Sequence, residues 1–127
     1  MVNIFLERSL NDEELLLYGR GTREQDFIYV KDVARAFWQA YQEKKSGIYN
    51  IASGTTVTMK DLAELIITLT CSHSKITCSG KEDPQENVKV SIDVSKAQKE
   101  LGFTPEFSLA DGLLDCIHEY QKMKSGR

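Results

Sequence analysis

Arg20, Arg23 and Lys31 cluster around one short run, Gly19-Arg20-Gly21-Thr22-Arg23-Glu24-Gln25-Asp26-Phe27-Ile28-Tyr29-Val30-Lys31-Asp32. A guanidinium can grip phosphate oxygens with two parallel hydrogen bonds, so this run has the chemistry to hold a diphosphate. Charge alone favours ordinary solvated surface cations. Gly19-x-Gly21 opens like a dinucleotide fingerprint, yet Glu24 stands where the third glycine belongs. A strand-like run, Phe27 to Val30, follows where a phosphate-binding helix should begin. The two glycines therefore read as turn residues. Asp26 and Asp32 lie on either side of a strand-to-helix junction that does not bring them face to face. Asp32 is expected to cap a helix and Asp26 to accept structural hydrogen bonds. His73 and His118 show no partner pattern. Cys71, Cys78 and Cys116 form no C-x-x-C pair and have no histidine at ligand spacing, so no metal site is expected.

The elements that must position these groups follow from periodicity and punctuation. Val2 to Leu10 reads as a helix with Ile4, Phe5 and Leu10 inward, and Asn11 to Glu14 as a polar turn. Leu15 to Tyr18 reads as a buried strand, close enough to pair antiparallel with Phe27 to Val30 across the glycine loop. Behind Asp32, the residues Val33, Ala34, Phe37, Ala40 and Tyr41 recur at helical spacing until Lys44-Lys45-Ser46-Gly47. Ile48 to Ala52 reads as a strand. Thr58 with Asp61 forms a capping box for a helix carrying Leu62, Ala63, Leu65, Ile66 and Leu69. Lys75 to Cys78 is a short strand, Ser79 to Asn87 an irregular stretch, and Val88 to Ile92, which alternates, a strand or extended segment. Asp93 caps a helix that ends at Gly102, and Ser108 with Asp111 starts the last helix, with Leu109, Leu113, Leu114 and Ile117 on its apolar face. The order predicts a mixed α/β (α+β) domain over residues 1–127, of single-domain size.

Three stretches carry a resemblance. The glycine-loop run is one. Tyr49-Asn50-Ile51-Ala52-Ser53-Gly54 followed by Thr58-Met59-Lys60-Asp61-Leu62-Ala63 is the second. The third runs from Asp93-Val94-Ser95-Lys96-Ala97 through Leu101-Gly102-Phe103-Thr104-Pro105 to Ser108-Leu109-Ala110-Asp111-Gly112-Leu113. In this order, over about residues 2 to 120, they resemble the C-terminal, substrate-binding region of the extended short-chain dehydrogenase/reductases. These are the NAD-dependent sugar-nucleotide epimerases and dehydratases. The resemblance implies a small substrate-binding subdomain without the N-terminal Rossmann sheet, whose ligand is a nucleotide-diphosphate sugar. It implies NAD or NADP in the parent enzyme and none in this chain.

The family's arginine directly before Asp-Phe contacts the diphosphate. Gln25 stands there, and Arg23 is the substitute cation, since positions 23 and 25 share a face of a strand. In the loop before Asp93 the family carries Arg-x-Gly-Asp, the arginine for the diphosphate and the acid for the ribose. By register Glu86 takes the acid's place and Asp83 the arginine's. A carboxylate there repels a diphosphate, so either Lys81 takes over or binding is altered or weakened. The expected substrate-binding residues are thus Arg23, Gln25, Lys81 and Glu86. The family's catalytic Tyr-x-x-x-Lys pattern occurs at Tyr41/Lys45 and Tyr120/Lys124, both in segments that match non-catalytic helices. No catalytic residue is expected, and the chain reads as a truncated portion, inactive alone. The alternative is a structural or regulatory α/β module that binds no nucleotide sugar.

Composition narrows the partners. A net charge of −3 with 28% charged residues argues against a nucleic-acid binder. No apolar run approaches the ~20 residues of a membrane span, and the N-terminus lacks signal-peptide character. An odd number of cysteines suits reduced thiols and a cytoplasmic location. Without the Rossmann half, the strand at Ile48 to Ala52 would leave an open edge, to be covered by that missing half or by a second copy.

Overall fold

Helix α1 (Val2–Leu10) buries Phe5, Leu6 and Ser9 in the computed structural model, which describes residues 1–126. Ile4, expected inward, is 56% exposed. The rotation follows from Ser9, whose hydroxyl meets the Thr70 hydroxyl at 2.7 Å and turns the Phe5–Leu6–Ser9 face to the core.

Strand β1 (Leu15–Leu17) pairs with a later strand, not with the chain just beyond the glycine loop. The second strand, β2 (Glu24–Asp26), lies ahead of the expected Phe27–Val30 segment. Asp26 explains the shift. Its carboxylate accepts hydrogen bonds from Ser53 N and Gly54 N, both at 2.8 Å, as the sequence suggested for this residue. The ladder stops there, and Phe27 and Ile28 pack against the two apolar clusters instead. The Tyr29 ring sits 4.7 Å from that of Phe107.

Helix α2 (Val30–Gln42) has Tyr29 as its N-cap and no side-chain cap. Asp32 is therefore not the cap. It lies in the first turn with its carboxylate buried, bound to Glu106 N at 2.9 Å and Phe107 N at 3.0 Å. Ile48 to Ala52 is not a strand either. It runs without ladder partners and is held from its side chains, with Asn50 Nδ2 on Asp93 O at 2.9 Å and the Tyr49 hydroxyl on Glu100 at 2.8 Å. A strand needs a neighbour to pair with.

Strand β3 (Thr56–Thr58), unmarked in the sequence reading, pairs antiparallel with β2, Gln25 opposite Val57. Helix α3 (Met59–Thr70) carries the expected capping box and buries Met59, Leu62, Ala63 and Ile66. Strand β4 (Ile76–Cys78) pairs parallel with β1, Leu16 opposite Thr77. Val88 to Ile92 forms no strand. Helix α4 (Ser95–Leu101) starts after Val94, one residue beyond the expected cap, although Asp93 Oδ1 still accepts from Ser95 N at 2.9 Å. Gly102 closes it at φ 63°. Helix α5 (Leu109–Ser125) starts at the Ser108 cap and buries Leu113 and Ile117, while Leu114 faces out.

Two apolar clusters result. The larger joins α1, β1, α3 and α5 through Phe5, Leu15, Leu17, Leu62, Ile66 and Leu113. The smaller joins α2 and α4 through Ala36, Ala97, Leu101 and Phe103. Packing of β1 into the larger cluster fixes where the glycine turn emerges. No helix among the described residues is long and apolar enough to cross a membrane.

Candidate functional site

The chain leaving β4 runs beside the chain leaving β1. Ser79 N donates to Leu17 O and Gly19 N to Lys81 O, each at 2.8 Å. This carries residues 81–86 across the glycine turn, and it explains the first glycine. Gly19 has φ 54°, and a Cβ there would lie 2.9 Å from the Glu86 carboxyl carbon.

Glu86 docks into the turn. Its Oε1 accepts from Arg20 N at 2.6 Å and Arg20 Nε at 3.2 Å, with the Thr22 hydroxyl at 3.4 Å. The Arg20 backbone N–H holds this carboxyl below the usual range; desolvation pushes the other way, and the Arg20 guanidinium and the Thr22 hydroxyl add to the lowering. Oε2 receives no hydrogen bond among the described residues and stays available. Arg23 lies alongside. Its Nη1 donates to Gln85 Oε1 at 3.3 Å, and its Nε stands 3.6 Å from Asp83 Oδ2. The two side chains are only 17% and 7% exposed. Asp83 Oδ1 in turn accepts from Gln85 N at 3.0 Å. Gln25 is half-buried two residues along β2 from Arg23.

On the other side of Gly19, the Lys81 ammonium stands 5.9 Å from the Tyr18 ring centre. Both line a hollow of about 600 Å³ with Ile4, Arg8, Leu16 and Cys78. Arg23 and Glu86 are thus brought together, Lys81 faces the adjoining hollow, and Gln25 lies on the strand beneath. The sequence reading missed the contacts that Arg20, Gln85 and Asp83 make. Their partners across the turn lie 60 or more residues away in sequence, beyond the reach of any local pattern. The one available signal was the carboxylate at position 83, an uncompensated charge that pointed to a cation nearby.

Other chemistry-bearing groups sit elsewhere. Lys31 does not serve the loop. Its ammonium is 2.6 Å from Asp115 Oδ2, which also accepts from the Tyr29 hydroxyl. The bond to Asp115, with desolvation, pushes the Tyr29 phenol up. Tyr41 points to solvent, and Lys124 packs over the Tyr120 ring at 5.1 Å. The glycine turn does not suit a cofactor pyrophosphate, because it leads into β2 and its Arg20 N–H already holds a carboxylate.

The family described as GDP-mannose 4,6 dehydratase matches residues 2–116. The dTDP-glucose 4,6-dehydratase of Streptomyces niveus is 26% identical, over 95% of this chain and 36% of its own length. The structure of UDP-glucose 4-epimerase from Thermotoga maritima with UDP-glucose superposes with a TM-score of 0.86 at 30% identity, over 97% of this chain and 40% of that one. The Bordetella bronchiseptica enzyme WbmF in complex with NADH gives 0.85 at 31% identity, over 98% of this chain and 37% of that one. The chain belongs to the extended short-chain dehydrogenase/reductase family of sugar-nucleotide epimerases and dehydratases, and spans well under half the length of these relatives.

Proposed function

We propose that this chain is the nucleotide-sugar-binding portion of an NAD(P)-dependent epimerase or dehydratase and does not catalyse alone. The observation that carries the reading is the convergence of the glycine turn and residues 81–86. Together they set the Arg23 guanidinium against Gln85 and Asp83 and leave Glu86 Oε2 without a hydrogen bond among the described residues, while Tyr18 and Lys81 line a hollow on the other side of Gly19. A nucleoside fits the hollow with its base against Tyr18 and Leu16. The ribose hydroxyls meet Glu86 Oε2, and the diphosphate lies along Arg23 and Gln25 with Lys81 at its flank. Holding a substrate by its remote nucleotide uses binding energy to position the sugar for chemistry done by other residues. Those residues, with NAD or NADP, belong in this reading to a Rossmann half of the kind the relatives' additional length accommodates. Residues 1–127 act as one domain, in the cytoplasm.

The face that meets that half is the outer side of α2 with the unpaired segment Ile48 to Ala52. Trp38 is 57%, Phe37 75% and Ile48 87% exposed. Apolar exposure this dense marks a contact surface, and in isolation a second copy covers it.

Calorimetric titration with UDP-, dTDP- and GDP-sugars tests the binding reading. Micromolar affinity for one of them, lost in Arg23→Ala, is the expected result. A second reading, a structural module with no nucleotide ligand, is favoured by one observation: Arg23 already faces Asp83. Failure of every nucleotide sugar to bind either the native chain or a variant with the Asp83 charge removed would favour it.

A further inference from the structure

We propose that Asp83 sets the affinity of the diphosphate subsite by occupying Arg23 as an internal anion, which a ligand's phosphate must displace. The inference rests on the nucleotide-sugar reading and deepens it. The Asp83 carboxylate stands 3.6 Å from Arg23 Nε, both side chains are largely buried, and this nitrogen has no hydrogen-bond partner. Among the described residues the contact is therefore an ion pair without a well-formed hydrogen bond, the kind of partnership an incoming phosphate can replace. Asp83 also places a negative charge directly against Arg23, the proposed diphosphate cation, and in a part-buried setting its repulsion toward a phosphate is weakly screened.

The surrounding contacts say what happens when the charge is removed. Gln85 Oε1 holds Arg23 Nη1 at 3.3 Å, a contact that does not use the Asp83 charge. Asp83 Oδ1, the atom facing away from Arg23, accepts from Gln85 N at 3.0 Å and keeps the loop turned. Asparagine at this position keeps that acceptor and removes the charge. Arg23 then stays in place with its positive charge uncompensated. Binding to the native chain exchanges one anion for another, whereas binding to Asp83→Asn adds an anion to a free cation.

The experiment is titration calorimetry of the full chain and of Asp83→Asn with UDP, UDP-glucose, dTDP-glucose, GDP-mannose and uridine, after a thermal melt confirms that both fold. The expected result is a gain of about tenfold or more for the diphosphate ligand that the site accepts. Uridine, which carries no phosphate, is expected to show no gain. Raising the salt should weaken binding to the variant more steeply than binding to the native chain. Equal or weaker diphosphate binding in Asp83→Asn overturns the inference and leaves the nucleotide-sugar reading intact, since Asp83 would then be positioning Arg23. An equal gain for uridine overturns it too. If neither protein binds any of the probes, both readings fall. Binding by the variant alone supports both.

Discussion

Replacing Asp32 by alanine removes an acceptor that three donors share. The carboxylate is buried and takes Arg35 Nη2 at 2.7 Å, Glu106 N at 2.9 Å and Phe107 N at 3.0 Å. It ties the first turn of α2 to the chain entering α5. In Asp32→Ala the two backbone N–H groups lose their partner at a part-buried site, which costs about 1 kcal/mol each, the low end for such groups. Loss of the Arg35 pair adds about 1 kcal/mol and no more, because Arg35 keeps Thr104 O at 2.6 Å and Glu106 at 3.4 Å. The expected total is about 3 kcal/mol, or a fall of roughly 12 °C in Tm for a chain of this size. Urea and thermal melts followed by circular dichroism measure it, and Asp32→Asn, with one acceptor oxygen left, should fall between. Burial pushes the Asp32 carboxyl up, but the Glu106 N–H, Arg35 and the Phe107 N–H together bring it below the usual aspartate range. Its contribution is thus present above the unfolded value of about 3.9 and is lost as pH falls through the folded one. The gap between native and variant should narrow below about pH 4 for that reason. A loss under about 1 kcal/mol at pH 7, or a gap that widens in acid, refutes the assigned role.

Thr58→Ala removes the hydroxyl that accepts from Asp61 N at 3.0 Å, and should cost about 1 kcal/mol in the same melts; an unchanged midpoint counts against the capping box. Gly19→Ala places a methyl 2.9 Å from the Glu86 carboxyl at positive φ, so it should destabilise the chain by about 1–2 kcal/mol and weaken nucleotide binding by displacing Glu86. Native stability and affinity in that variant would dismiss the docking role of Gly19. Light scattering of the chain at micromolar concentration should give a mass above the monomer, reduced by Phe37→Glu on the exposed face of α2; a clean native monomer removes the support for self-association.

What could be read along the chain were features that depend on near neighbours. The Thr58–Asp61 box, the Ser108–Asp111 start and the Gly102 stop are each written within four residues, and each was found where expected. The motif order carried the family, and the mixed α/β class followed from alternating helix and strand signals. Errors gathered where a long-range partner overrode local preference. Asp32 looks like a cap until the 106–107 backbone draws it inward. Phe27 to Tyr29 has strand residues but packs against the apolar clusters and Phe107, and the ladder forms three residues earlier, at Glu24–Asp26. Ile48 to Ala52 has strand composition and no strand to pair with.

The candidate site divides along the same line. By itself the sequence determined the cations near the glycine turn, the acid at 86 and the charge conflict at 83, because residue type and register are properties of the chain order. Only the tertiary structure decided that Arg23 faces Asp83, that Lys31 is spent on Asp115 and that Glu86 closes on Gly19. Those pairings join segments 60 or more residues apart, so which of several nearby charges meet is settled by tertiary packing: of β4 beside β1 for the loop, and of α2 near α5 for Lys31.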